Sequence, residues 1–339
     1  MASLKPNVID DMVNSTLNEL GSFKYENLSY TLLEHIVQKR LMRKKRMGFQ
    51  SGKSVDFNVK TKTGKQASHS ELFDTDEVNI VNLLGKGNVP WTFTKTHWGY
   101  DNREPEFNSG ASQILDMIKV RRDDAIQSVV GLFEDDFWAT PDATNDKAPF
   151  GIKYWITRNA TEGFNGAAPS GFTDVGGLNP STVQNWKNWT SQYAAISKTD
   201  LIRKIRKAVT MTNFKPPIEG NPYAKGQDFT HLTNYDVVGE LEEYLQTEND
   251  DLGTDIAGYD GMVTFRSVPV EHVPKLDADT KNPWYGINWN FFEMIFMSGQ
   301  FAVQSEPMKA SHNTRAIFYD WTYQYICRNR RMHFVCNTA

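Results

Sequence analysis

Apolar and polar positions alternate along Val55-Asp56-Phe57-Asn58-Val59-Lys60 and again along Val89-Pro90-Trp91-Thr92-Phe93-Thr94. This is the period of an extended strand with one buried face. The two stretches predict the strands of one long ribbon running from Gly52 to Pro105. Between them stand Gly64, Gly85 and Gly87, many Lys, Ser, Thr and Asn residues, and one short apolar run from Val78 to Leu84. That is too little apolar surface to bury by itself, and a two-stranded ribbon alone is marginal in water. A packed partner is therefore expected, and a second copy of the chain would supply it. Trp91, Phe93, Trp98 and Tyr100 are the candidate contact residues, because large amphipathic rings are enriched at interfaces.

The period then changes. Ala111, Ile114, Ile118, Ala125, Ile126, Val129, Val130, Phe133 and Phe137 fall three or four apart, behind a capping position at Asn108-Ser109. A helix from Ser109 to Trp138 follows, on the order of 45 Å long. Such a helix acts as a spine along which smaller elements pack. Arg121 and Arg122 interrupt its stripe and join the candidate contacts between copies.

Upstream, residues 26–47 carry Leu28, Leu32, Leu33, Ile36, Val37 and Leu41 at helical spacing and end in Lys39, Arg40, Arg43, Lys44, Lys45 and Arg46. Cations at a helix C-terminus suit its dipole; the sharper reading is a phosphate- or partner-binding arm. From Thr140 to Thr199 prolines and glycines predict irregular chain, interrupted by one strand at Ile152 to Thr157. Helices are predicted at Thr199 to Thr212 and Tyr235 to Thr247. Strand-forming residues cluster late, at Met262–Phe265, Val268–Val270, Phe291–Phe296, Phe301–Val303 and Met332–Val335. The class is α+β with no internal repeat.

Composition narrows the function. The 339 residues can bury a sizeable core, and 9 tryptophans with 12% aromatic content favour large contact surfaces. A formal charge of -4 supplies no global basic field for nucleic acid. The amino terminus lacks a signal-peptide core and no run reaches the ~20 apolar residues of a membrane span, so the expectation is a protein made and kept in the cytosol. Cys327 and Cys336 are expected as reduced thiols.

Motifs for chemistry fail on spacing. Gly48-Phe49-Gln50-Ser51-Gly52-Lys53-Ser54 resembles a phosphate-binding loop but has one residue too few between its glycines and precedes a strand rather than a helix. The acidic turn Glu248 to Asp255 does not match the calcium-loop spacing, and Glu134-Asp135-Asp136 reads as a charged helix end. Seven scattered histidines form no metal pair and no serine elbow is present. No catalytic, cofactor or metal residue is assigned. Arg328-Asn329-Arg330-Arg331 reads as a turn with solvated cations, or as an intersubunit partner for acidic positions.

The order of parts resembles the major capsid protein of tailed bacteriophages, the Hong Kong 97-type fold. There an N-terminal arm leads into an extended β-ribbon, the E-loop, and then into the long spine helix of a peripheral domain. Here Met1 to Ser51, Gly52 to Pro105 and Ser109 to Trp138 occupy those places. An axial domain comes next, and the family's closing strands match Val268–Val270, Trp284–Trp289, Phe301–Gln304 and Arg331–Val335. The resemblance implies an arm at 1–51, a ribbon at 52–107, a peripheral domain at 108–198, an axial domain at 199–270, and returning strands at 271–339. It implies an icosahedral shell of hexamers and pentamers around packaged double-stranded DNA, assembled in host cytoplasm. Scaffolding, decoration and portal proteins are its implied partners, with no covalent crosslink expected. Two other readings stand beside it. One is a cytosolic α+β enzyme with a site in the loops of residues 163–177; the other is a nucleic-acid-binding virion or adaptor protein acting through Lys39 to Arg46.

Overall fold

A computed structural model describes residues 35–42, 47–62, 69, 82–103, 111–145, 147–212, 228–248, 263–266 and 268–339, with backbone alone for 111–119 and 244–248. The described chain begins with a six-residue helix, α1 (Ile36–Leu41), whose Val37 and Leu41 are fully buried. Residues 26–34 and 43–46 of the expected amphipathic helix lie outside the described residues. The next segment resembled a phosphate loop; its first half is instead a strand, β1 (Met47–Gln50).

The ribbon is β2 (Ser54–Lys60) paired antiparallel with β3 (Leu84–Pro90). Val55 faces Val89 and Phe57 faces Gly87. Gly87 is required there, since a Cβ would stand 2.3 Å from the Phe57 ring. Phe57 then lies against Trp155 and Trp186, at centroid distances of 6.3 and 6.1 Å. The base of the ribbon is thus bolted to the chain's own core. The apolar run Val78 to Val81 lies outside the described residues.

Thr92 to Asp101 departs from the expected ribbon. It forms β4 (Thr92–Asp101), an edge strand of a larger sheet. The period-two signal was right for a strand, but periodicity does not name the partner. The long helix expected from Ser109 to Trp138 is present as α2 (Ala111–Trp138), 28 residues and about 42 Å long. Its buried stripe of Ala125, Val129, Phe133 and Phe137 has the spacing of one helix face.

Ile152 to Thr157 is not a strand. It forms a single helical turn, α3 (Ile152–Trp155), behind Gly151, where a Cβ would meet the Phe137 carbonyl oxygen at 2.4 Å. Close passage beneath the end of α2 dictates the turn, and packing overrides β propensity.

The remaining elements are β5 (Trp189–Tyr193), α4 (Leu201–Thr212), β6 (Phe229–Thr233), α5 (Tyr235–Glu248), β7 (Thr264–Phe265), β8 (Val268–His272) and β9 (Trp284–Asn288). They are followed by β10 (Phe292–Met297), β11 (Val303–Gln304), β12 (Met308–Lys309), β13 (Thr314–Cys327) and β14 (Phe334–Thr338). One sheet is built on β13. Its first ten residues pair with β4, and its other edge takes β12, β11 and then β10, with β1 parallel beyond β10. The second sheet runs β5-β14-β9-β6-β8-β7. The first core joins α2 to the rings of β13, with Phe133 to Tyr323 at 4.5 Å and Phe137 to Tyr325 at 5.4 Å. A second lies where α4 and α5 cover Trp189, Trp284 and Phe334.

Candidate assembly surfaces

Register decides which ribbon-side rings are free. In β4 the buried face carries Thr92, Trp98 and Tyr100, while Phe93, Lys95 and His97 point to solvent. Trp98 and Tyr100 pack together at 6.2 Å and are almost wholly buried, as is Trp91, whose indole N–H donates to the Gly52 carbonyl at 2.9 Å. The expectation that these three rings serve a second copy is corrected: pairing of β4 with β13 places Trp98 and Tyr100 in the chain's own core, and Trp91 is buried there just before β4. Phe93 is different. It is 75% exposed, the most open large apolar side chain among the described residues.

The two arginines of α2 also face inward in part. Arg121 donates to the Gly99 carbonyl at 3.0 Å, so it covers an edge carbonyl of β4. The Nε of Arg122 is buried without a hydrogen-bond partner. Along α2, Val120, Ile126 and Leu132 are exposed apolar positions; six residues apart, they lie on different sides of the helix, Val120 opposite the buried stripe and the other two on its flanks.

The arm is fastened by a carboxylate. Glu134, expected as part of a solvated helix end, is buried and accepts from the backbone N–H of Val37 at 3.4 Å and of Gln38 at 3.0 Å, and from the Trp138 indole at 2.9 Å. Burial pushes its carboxyl up from the ordinary range, against those hydrogen bonds. The Gln38 amide donates to the Phe133 carbonyl and the Tyr325 hydroxyl, each at 2.9 Å. Of the candidate phosphate contacts, Arg40 is paired with Glu271 and Lys39 is exposed. Arg43, Lys44, Lys45 and Arg46 lie outside the described residues.

The arginine-rich turn is the largest departure. Arg330 is fully buried. Its Nε donates to the Trp155 carbonyl at 2.6 Å and its Nη1 to the Trp186 carbonyl at 2.8 Å. Nη2 reaches the Ala167 carbonyl and the Asn188 side-chain oxygen at 3.1 Å and the Thr157 hydroxyl at 3.2 Å. Burial among neutral acceptors lowers its pKa to about 10. Arg328 pairs with Glu293 at 2.8 Å, and Arg331 donates to Asn185 at 2.6 Å and lies over the Phe164 ring. The turn therefore buries Arg330 within its own chain, while Arg328 and Arg331 stay exposed as expected of a solvated turn.

Arg330 also fills the space under the glycine-rich loops of residues 163–177. Gly166 and Ala167 give it carbonyls, and Gly176 sits against Trp155. Beside these loops an open cleft of about 580 Å³ is lined by Lys153, Arg158, Lys275, Asp279 and Tyr285 among others. Asp279 is its one carboxylate: Arg158 grips it at 2.5 and 3.2 Å and donates to the Tyr285 hydroxyl at 3.0 Å, Lys153 stands 3.8 Å from it, and Lys275 pairs with Asp135 outside the lining. No sequence signal marked this grouping, which comes from positions more than 100 residues apart.

No family model and no curated protein matches the chain. Solved structures do. The chain is similar to one in the cyanophage A-1(L) capsid asymmetric unit, with TM-score 0.61 at 15% identity, covering 95% of this chain and 98% of that one. A chain of the capsid of a native GTA particle aligns with TM-score 0.60 at 10% identity, over 94% and 95% of the two chains. One from the mature capsid of bacteriophage PhiM1 aligns with TM-score 0.51 at 11% identity, over 94% and 91%. The helices and the two sheets together thus make an α+β fold of the kind seen in the chains of these phage and GTA capsids.

Proposed function

We propose that this chain is a major capsid subunit, many copies of which close into an icosahedral shell around double-stranded DNA. The observation that carries this reading is the extent of the likeness, which runs nearly end to end on both chains instead of covering one shared module. In such a shell the ribbon of one copy lies across α2 of its neighbour. Phe93 and Val120, which lies opposite the buried stripe of α2, supply apolar contact points. Each contact is modest, and repetition over many copies makes the assembly stable. Scaffolding, decoration and portal proteins would be its partners in the host cytoplasm.

Negative-stain electron microscopy and light scattering of purified protein test this. Closed particles of uniform diameter are the expected result. A strictly monomeric or dimeric species at high concentration, with any co-expressed scaffold present, would refute the reading.

A further inference from the structure

The two long helices of the second core carry opposite charge on their outer sides. In α4, Leu201, Ile205, Ala208 and Val209 are buried, and Arg203, Arg206 and Lys207 are exposed on the far side. The helix contains no acidic residue. Lys204 is closed back on Asp200 and on the Gln192 carbonyl, and Lys207 reaches Glu162 at 2.6 Å. Arg203 and Arg206 make no ion pair among the described residues, and Arg266 extends the positive surface by donating to Thr210 at 3.2 Å. In α5, Val237, Val238 and Leu241 are buried, while Asp236 and Glu240 share an outer face four residues apart, with Glu243 one turn further on. This helix contains no Lys or Arg.

Local electrostatics does not account for the α4 pattern, whereas Asp236 in the first turn of α5 suits that helix's dipole. Arg203 and Lys204 sit in the first turn of α4, the positive end of its dipole, where cations are disfavoured. Arg203 with Lys207, and Asp236 with Glu240, are like charges at i and i+4, which destabilise a lone helix. None of the ion pairs between described residues joins α4 to α5. The helices lie over different parts of the second sheet, α4 on β5 and β14 and α5 on β8. Among the described residues Arg203, Arg206, Asp236 and Glu240 make no ion pair, and the basic face of α4 is complementary in charge to the acidic face of α5.

We propose that these faces are the two halves of a head-to-tail contact between neighbouring copies, Arg203 and Arg206 of one subunit meeting Asp236 and Glu240 of the next. The two patches differ, so the contact is heterologous; repeated about an axis it closes a ring rather than a dimer. This inference rests on the shell reading and names one contact within it. Complementary potentials fix partner and register, which is what ring closure needs.

Charge reversal tests it in the full-length protein. The α4 reversal is Arg203→Glu with Arg206→Glu, the α5 reversal is Asp236→Arg with Glu240→Arg, and the combined variant carries all four. Thermal unfolding of unassembled subunits checks that each folds. Like charges brought face to face should lower closed-particle yield by more than about tenfold in either reversal, and the combined variant should recover it. Either reversal assembling like the parent overturns the proposal, as does a combined variant that folds but does not recover. An α4 reversal that yields normal shells lacking DNA also overturns it, and assigns α4 to the nucleic acid. If the parent protein itself forms no particles, the shell reading falls and this contact with it. Where a reversal fails to fold, Arg203→Gln with Arg206→Gln replaces it; assembly of that variant should be weaker and less salt-dependent than the parent's. Unchanged yield and unchanged salt dependence would overturn the contact.

Discussion

At the scale of single residues, Arg330 shows why side-chain type and side-chain role are separate questions. Its guanidinium ties α3, the 163–167 loop, Trp186 and Asn188 into one unit with no acidic partner. Arg330→Lys keeps the charge but cannot satisfy carbonyls spread around a planar fork, and it strands several buried acceptors at about 1–3 kcal/mol each. The expected result is loss of soluble protein or a fall in Tm of well over ten degrees, read by thermal unfolding. Two histidines set the acid limit. His231 accepts the Trp284 indole N–H at 3.2 Å and His333 accepts the Asn288 N–H at 3.2 Å, and burial lowers their pKa values to about 4 and about 3. Both lie below the unfolded value near 6.5, so the folded state binds fewer protons, and stability is lost as pH falls from about 6.5 through these values. Denaturant midpoints measured between pH 7 and pH 4 should fall, and His333→Gln should flatten that slope.

At the scale of elements, the anchoring of ribbon and arm is open to direct challenge. Phe57→Ala empties the space between Trp155 and Trp186 and should cost about 3–5 kcal/mol in chemical unfolding. Glu134→Ala removes the acceptor for two arm amides, so hydrogen exchange at Val37 and Gln38 should rise well before global stability fails. The long helix, both helices of the second core and strand β2 were legible because each carries a complete period of its own. What was not legible depends on the partner. Thr92 to Asp101 has the same alternation whether it pairs with β3 or with β13, so Trp98 and Tyr100 read as surface rings although they belong to the core. Ile152 to Trp155 is β-prone sequence bent into a turn by the end of α2. The strand β13 was not assigned because aromatics on one side and Thr322 and Gln324 on the other are all buried, which hides its alternation. Arg330 was read as part of a solvated turn and Glu134 as part of a charged helix end, because a charge carries no mark of burial in sequence.

At the scale of the whole molecule, the β2–β3 pair has its own place in the core through Val55, Phe57 and Val89. Replacing residues 68–81 by a short Gly-Ser turn leaves Phe57, Val55 and Val89 in place. Such a variant should unfold like the parent yet form no closed particles by electron microscopy; normal particles would show that the tip is dispensable for assembly. The position of β13 has a further consequence, in time. The strand that β4, β10, β11 and β12 all require is made after every one of them, and Arg330 comes later still. On the ribosome, a growing chain cannot close its first sheet or lock its loops until residue 330 has emerged. Contacts so distant in sequence form slowly, and unfinished chains lack a completed surface to offer a neighbour. In the proposed shell, late placement of the central strand would keep incomplete subunits from competing for places.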